Sequence, residues 1–274
     1  MDNMQKIPVF FTFDANYLLA AKVAIHSMMK HASRQYWYEL YVFHTTLSPK
    51  AQQSLRNSLK EFTHTELHFI DVTQYNEKIK NFGTKAHYSK EIFYKLIATD
   101  VLPQYDRIIC SDVDVVFTGD FSPVFFMFPN EKFYYAGVGP VENSRMPYYR
   151  KDFSTTEMEI LEHEIAAGFL LINLKELRND HKQEEIINFY VNNYPRLRLP
   201  EQDCIILTCW PYIKYLPIDY SLPISFYRLN MNQRDFYQGN TEFAGDKATA
   251  LAKFNKGLAH PVQIHYAGFD KPRN

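Results

Sequence analysis

Apolar positions along this chain fall into short runs separated by stretches with helical spacing. Ile7-Pro-Val-Phe-Phe-Thr-Phe13 is a β-rich run that predicts a buried strand. Asp14 or Asn16 can cap the next helix. Over 17–30, Leu18, Ala21, Ile25, Met28 and Met29 recur as one face of that helix. A strand at 39–43, a helix opened by Ser48-Pro49, a strand at 66–71 and a helix over about 90–102 come next. They lead to Arg107-Ile-Ile-Cys-Ser-Asp-Val-Asp-Val-Val-Phe117, an apolar strand running into two carboxylates. This order predicts an α/β fold with a mixed, mainly parallel sheet flanked by helices. Beyond it the pattern predicts strands at 133–138, 167–173 and 213–218, with a polar stretch near 140–165. A charged helix over 175–194 and a helix starting at Pro200 follow, and the chain closes with Val262-Gln-Ile-His265-Tyr-Ala-Gly268.

The two carboxylates change the picture. Asp112 and Asp114, spaced i and i+2 on a strand, would share one face. Leaving them unpaired there is costly, and a divalent cation with oxygen ligands would compensate them. Ligands of such folds sit outside the carboxyl ends of parallel strands. Asp14, Asn16, Asp112, Asp114 and His265 can all reach that position. No G-x-G-x-x-G follows the first strand and no Walker lysine loop is present, so a nucleotide would need another charge partner.

Composition excludes several classes. With 46% hydrophobic residues in 274 the chain folds around a sizeable core. Lys+Arg 30 against Asp+Glu 31 gives no electrostatic case for a nucleic-acid partner. Cys110, Cys204 and Cys209 have neither metal spacing nor an even disulfide count, which suits a reducing cytoplasm. The opening MDNMQKIPVFFTFD lacks the basic start of a secretory signal, and no run is long enough to span a membrane. The aromatics of Met146-Pro-Tyr-Tyr-Arg150 keep peripheral attachment at the inner membrane face open.

Six ordered blocks then resemble a known family: Phe13-Asp14-x-Asn16-Tyr17; His87-Tyr-Ser89 with Tyr94-Lys95-Leu96; Asp112-x-Asp114; Ala167-Gly168-Phe-Leu-Leu-Ile-Asn173; Glu201-Gln202-Asp203; and His265-Tyr-x-Gly268-x-x-Lys271-Pro272. In this order they resemble glycosyltransferase family 8, retaining enzymes of GT-A fold that include bacterial lipopolysaccharide galactosyl- and glucosyltransferases and glycogenin. The resemblance implies one GT-A domain over 1–274, with a nucleotide-binding part to about 120 and an acceptor-side part beyond it. It implies Mn²⁺, with Mg²⁺ as the lesser option, on Asp112, Asp114 and His265, and a UDP-galactose or UDP-glucose donor. Asp14, Asn16 and Tyr17 would hold uracil and ribose. Thr12, Lys95, Val113, Ala167 and Gly268 would line the donor, and Lys271 would neutralise its phosphates. Gln202 would lie beneath the anomeric carbon, with Glu201 or Asp203 as a less favoured nucleophile. His87 would face the acceptor, a saccharide or glycolipid of surface-glycan assembly, with donor contact or a plain surface place as its other readings.

Plainer roles compete: Asp14, Asn16 and Gln202 could each cap a helix, and Glu157 and Glu159 suit a solvated helix start. The chain also departs from the family pattern. Ala166 stands where asparagine is frequent, removing an amide that would bind sugar hydroxyls. Lys95 stands where arginine is common, losing a bidentate fork. Two other functions fit the same chemistry, a sugar-nucleotide-binding protein without transfer and a sugar-1-phosphate nucleotidyltransferase.

Overall fold

Alternation along the first apolar run decides which core each residue meets. β1 (Lys6–Thr12) sends Ile7, Val9 and Phe11 into one hydrophobic cluster and Phe10 into another. The computed structural model describes residues 4–80, 89–139, 151–223, 252 and 255–266. A 3-10 turn (Ala15–Tyr17) leads into α1 (Leu18–His31), which buries Ala21, Ala24, Ile25, Met28 and Met29 against the first cluster. β2 (Trp37–His44), α2 (Pro49–Asn57) and β3 (Thr65–Asp71) follow. Ser48 caps α2, its hydroxyl accepting the Ala51 N–H, with Pro49 at the first helical position.

Several expectations need correction. The helix expected over 90–102 is a 3-10 helix (Lys90–Ile97) that ends in a short turn, α3 (Ala98–Val101). Six of its eight residues are buried, so packing on several sides sets its shape more than helical periodicity does. The strand expected through 107–117 breaks in two. β4 (Ile108–Ser111) and β5 (Val115–Phe117) lie in different sheets, and Asp112-Val113-Asp114 is the link between them.

The remaining elements are β6 (Tyr135–Val138), α4 (Thr155–Leu161), β7 (Phe169–Ile172), α5 (Leu174–Asn179), α6 (Lys182–Asn193), α7 (Pro200–Cys209), β8 (Ile213–Leu216), β9 (Leu222–Pro223) and β10 (Gln263–His265). The single helix expected over 175–194 is divided at His181, whose φ of 51° breaks the α-helical ladder. Part of the polar stretch is α4, opened by a capping box between Ser154 and Glu157.

The main sheet runs β3-β2-β1-β4-β7-β6-β8, and β7 alone is antiparallel to its neighbours. α1 and α2 cover one face; the 3-10 helix and α4 to α7 contribute to the cluster on the other. A small sheet, β5-β10-β9, joins residues more than a hundred positions apart. Both faces are thus dry, and each large buried side chain contributes about 1.5–3 kcal/mol.

Phe10→Ala, at a fully buried position stacked on Phe43, is expected to lower unfolding free energy by about 3–5 kcal/mol in denaturant titration. Acid should loosen the start of α4. The Arg196 hydrogen bond, helped by Ser154 and opposed by burial, holds the Glu157 carboxyl at about 2 against its usual 4.5. That contribution is complete above about 4.5 and is lost as pH falls towards 2. Arg196→Met should flatten the fall in urea midpoint across that window.

Candidate active site

The break after β4 builds the site. At Ser111 the chain leaves the large sheet, and Asp112 N–H still donates to Gly168 O (2.9 Å), extending the pairing with β7 by one step. Val113 turns into the core and is buried. Asp114 then enters the small sheet, where β10 lies antiparallel to β5 with His265 opposite Val115. Tyr266 N–H closes that ladder on Asp114 O. The two carboxylates therefore converge because the backbone changes sheets between them, and strand periodicity is not the cause.

His265 Nε2 lies 3.6 Å from Asp112 Oδ2 and 3.5 Å from Asp114 Oδ1. One ligand atom from each of the three falls within 4.8 Å of the others. Burial would lower the imidazole pKa, but the Asp114 hydrogen bond and the two carboxylates carry it above its usual value. Gly168 makes room for the ring: a Cβ there would sit 2.4 Å from His265 Cε1 and 2.5 Å from Nδ1.

Lys95 closes the back of the site. It is 2% exposed, and its ammonium meets Asp112 Oδ1 at 2.6 Å, Glu201 Oε1 at 3.2 Å and Ala167 O at 3.0 Å. Burial would discharge it; the charges of Asp112 and Glu201 prevail and raise its pKa. Lys95, expected to face a donor, is here bound to three groups of the protein itself.

Gln202, the third residue of α7, accepts the Ala167 N–H on Oε1 (3.2 Å) and donates from Nε2 to Glu164 Oε2 (2.9 Å). Asp203 is fully buried and accepts the N–H groups of Arg198 and Leu199, so it secures the approach to α7. At the end of β1, Thr12 is buried and lies two residues beyond Phe10, which pairs with Cys110; Asp112 lies two residues beyond Cys110. Asp14 caps the 3-10 turn, accepting from Asn16 N (2.8 Å) and Asn16 Nδ2 (3.2 Å), and Tyr17 N–H donates to Asp14 O. The structure thus unites Asp112, Asp114, His265, Lys95, Ala167, Glu201 and Gln202. His87, Gly268 and Lys271 lie outside the described residues, as do Tyr148 and Tyr149. Glu164 was not anticipated. Its sequence signal was slight: a carboxylate just ahead of Ala167-Gly168, in a segment where Ala166 has no polar group.

Residues 8–272 match the family model "Glycosyl transferase family 8". The chain belongs to this family. No curated protein sequence gives a significant match. Among solved structures it is similar to the bifunctional glycosyltransferase WbbM (TM-score 0.75, 20% identity), covering 99% of this chain and 47% of that one. This chain therefore spans about half of WbbM. It is also similar to the galactosyltransferase LgtC, solved with donor and acceptor sugar analogues (0.74, 17%), covering 97% of this chain and 89% of LgtC. Mouse xyloside xylosyltransferase 1 gives 0.67 at 17% identity, covering 98% and 99%. At such identities the likeness establishes the fold, which is GT-A. In this family member the acidic triad lies where β4 leaves the large sheet, at the carboxyl-end position expected of a ligand site.

Removing the buried ammonium takes from Asp112 and Glu201 the cation that they share. Lys95→Met is expected to lower stability by about 3–5 kcal/mol, and adding Glu201→Gln should recover part of the loss in denaturant titration.

Proposed function

We propose that this family 8 glycosyltransferase is a metal-dependent retaining hexosyltransferase that moves galactose or glucose from its UDP-sugar to a surface-glycan acceptor. The observation that carries this reading is the Asp112–Asp114–His265 triad at the carboxyl end of β4. The residues fit a divalent ion. Two carboxylates and one imidazole converge, and the nearby ammonium of Lys95 is shared between Asp112 and Glu201. A raised imidazole pKa marks the local field as negative. Two oxygen donors with one nitrogen suit Mn²⁺ better than Mg²⁺, which favours an all-oxygen octahedron. Bound there, the ion would supply Lewis-acid stabilisation to a departing diphosphate.

The chain's own residues do the rest. Lys271 supplies a point charge to the same phosphates. Thr12, Asp14, Asn16 and Tyr17 hold the nucleoside, Tyr17 offering a stacking face, while the backbone at Val113, Ala167 and Gly268 lines the donor. The Val113 side chain is in the core, so its part is limited to its backbone. Gln202 carries an amide and no carboxylate, which disfavours a covalent sugar intermediate on it. Glu201 is held by Lys95 and Asp203 by two backbone N–H groups, which disfavours both as nucleophiles. We therefore favour front-face displacement. The acceptor hydroxyl attacks the face that UDP leaves, its proton passes to the departing phosphate oxygen, and the Gln202 carbonyl steadies the oxocarbenium-like carbon. His87 would contact the acceptor. No helix among the described residues is long and apolar enough to cross a membrane; we place the enzyme in the cytoplasm, where its acceptor glycolipid meets the inner membrane face.

A panel of UDP-sugars assayed with Mn²⁺ or EDTA tests this reading. Turnover should need the metal and favour a hexose donor, and Asp112→Asn should lower it by about 10²-fold. Gly168→Ala should displace His265 and weaken Mn²⁺ binding by about 10-fold or more in calorimetry. Gln202→Ala should slow turnover by about 10²-fold without abolishing it. A trapped sugar adduct on any side chain would overturn front-face displacement.

A further inference from the structure

We propose that Glu164 is a positioning residue for transfer: it fixes the orientation of the Gln202 amide. The inference rests on the role given to Gln202 above. The Ala167 N–H can only donate, so the end of Gln202 that meets it at 3.2 Å must be the carbonyl oxygen. Glu164 presents a carboxylate oxygen, so the end that meets it at 2.9 Å must be the NH₂. A flipped amide would lose both bonds and set its oxygen against a carboxylate. Glu164 therefore selects one of two otherwise similar rotamers, and leaves the second lone pair of Oε1 available for a developing positive charge. Its negative charge also makes the bond to Nε2 a charge-assisted one.

The base that carries Glu164 is itself held. Its N–H donates to Leu161 O at the end of α4. The preceding His163 ring lies flat on Trp210, with centroids 3.9 Å apart and planes 8° from parallel, and the Tyr215 hydroxyl reaches His163 O at 3.3 Å. Ile165, next in the chain, is buried, and Ala166 N–H donates to Val138 O. Because Ala166 has no polar side chain, Glu164 is the polar group that this segment sends to Gln202. The other side of Ala167 is fixed as well, since its carbonyl accepts from Lys95. Glu164, Gln202, Ala167, Lys95 and Asp112 form one hydrogen-bonded line from the α4 end to the acidic triad.

The test compares wild type, Glu164→Ala, Glu164→Gln, Gln202→Ala and the Glu164→Ala/Gln202→Ala double variant. Each is assayed for Mn²⁺-dependent turnover of the best UDP-sugar. Glu164→Ala is expected to lower kcat by about 10- to 100-fold while donor KM changes less than about threefold. Glu164→Gln should restore most of kcat, because its amide oxygen still accepts from Gln202 Nε2. The double variant should be no slower than Gln202→Ala alone. An unchanged kcat in Glu164→Ala, additive losses in the double variant, or a Glu164→Gln enzyme as slow as Glu164→Ala would each overturn the proposal. The Gln202 side-chain NH₂ signals, followed by NMR without substrate, should move in Glu164→Ala and stay nearly in place in Glu164→Gln. That readout is independent of turnover. If wild type turns over no UDP-sugar, the functional reading fails, and the NMR result still decides whether Glu164 orients the amide.

Discussion

A buried ammonium governs this site. Lys95 has three N–H donors, and three acceptors surround it: Asp112 Oδ1, Glu201 Oε1 and Ala167 O. Burying a lone charge is expensive, and so is burying a carboxylate without a partner. Here each charge removes the penalty on the others only while all of them stay together. The three acceptors come from the link after β4, the segment entering β7 and the first turn of α7. The ammonium therefore fixes the relative placement of three elements widely separated in sequence. A shift in α7 would expose the imbalance at Asp112, and a shift in Asp112 would be felt by the turn that carries Gln202.

The same constraint explains why the chain can change sheets between Asp112 and Asp114. A strand that ran on through both residues would keep its pairing with β7 but would carry its carboxylates away from β10. By leaving the ladder at Ser111 the backbone gives up regular pairing for a link of three residues. Asp112 remains tied to Gly168 O and Asp114 O to Tyr266 N–H, so little is left unpaired. The link is held at one end by the large sheet and at the other by the small one. His265 enters from the small sheet, across a glycine that leaves no room for a side chain. The triad is thus assembled by topology, with local geometry supplying the final fit.

Strands with apolar cores and helices with a single buried face were legible from the chain alone. β1, β2 and β3 and helices α1 and α2 all lie where local patterning places them, because period-two and period-3.6 signals were unopposed there. Patterning failed where burial came from several directions. The 3-10 helix of Lys90–Ile97 is apolar on more than one side and looks like a longer α-helix, and the break at His181 has no glycine or proline to mark it. At the site, the residue types were visible as family blocks, but their partners were not. Lys95 reads as a cation for a ligand, since nothing nearby in sequence shows that Glu201 and Ala167 O will meet it. Glu164 was invisible for the same reason: its partner lies 38 residues away, on another element.

Lysine at position 95 also bears on the family departures. An arginine there would bring a planar fork suited to one carboxylate or to a sugar edge. The lysine brings a compact point charge with tetrahedrally disposed donors, suited to two carboxylates and a carbonyl that approach from different directions. Its ammonium therefore binds the frame of the site. Ala166 removes one polar group from the adjoining segment, and Glu164 adds a carboxylate three residues before Ala167. Lys95 and Glu164 act on Ala167 from opposite sides, Lys95 on its carbonyl and Glu164, through Gln202, on its N–H. Together they set the two consecutive peptide groups that meet at Ala167, between the acidic triad and the Gln202 amide.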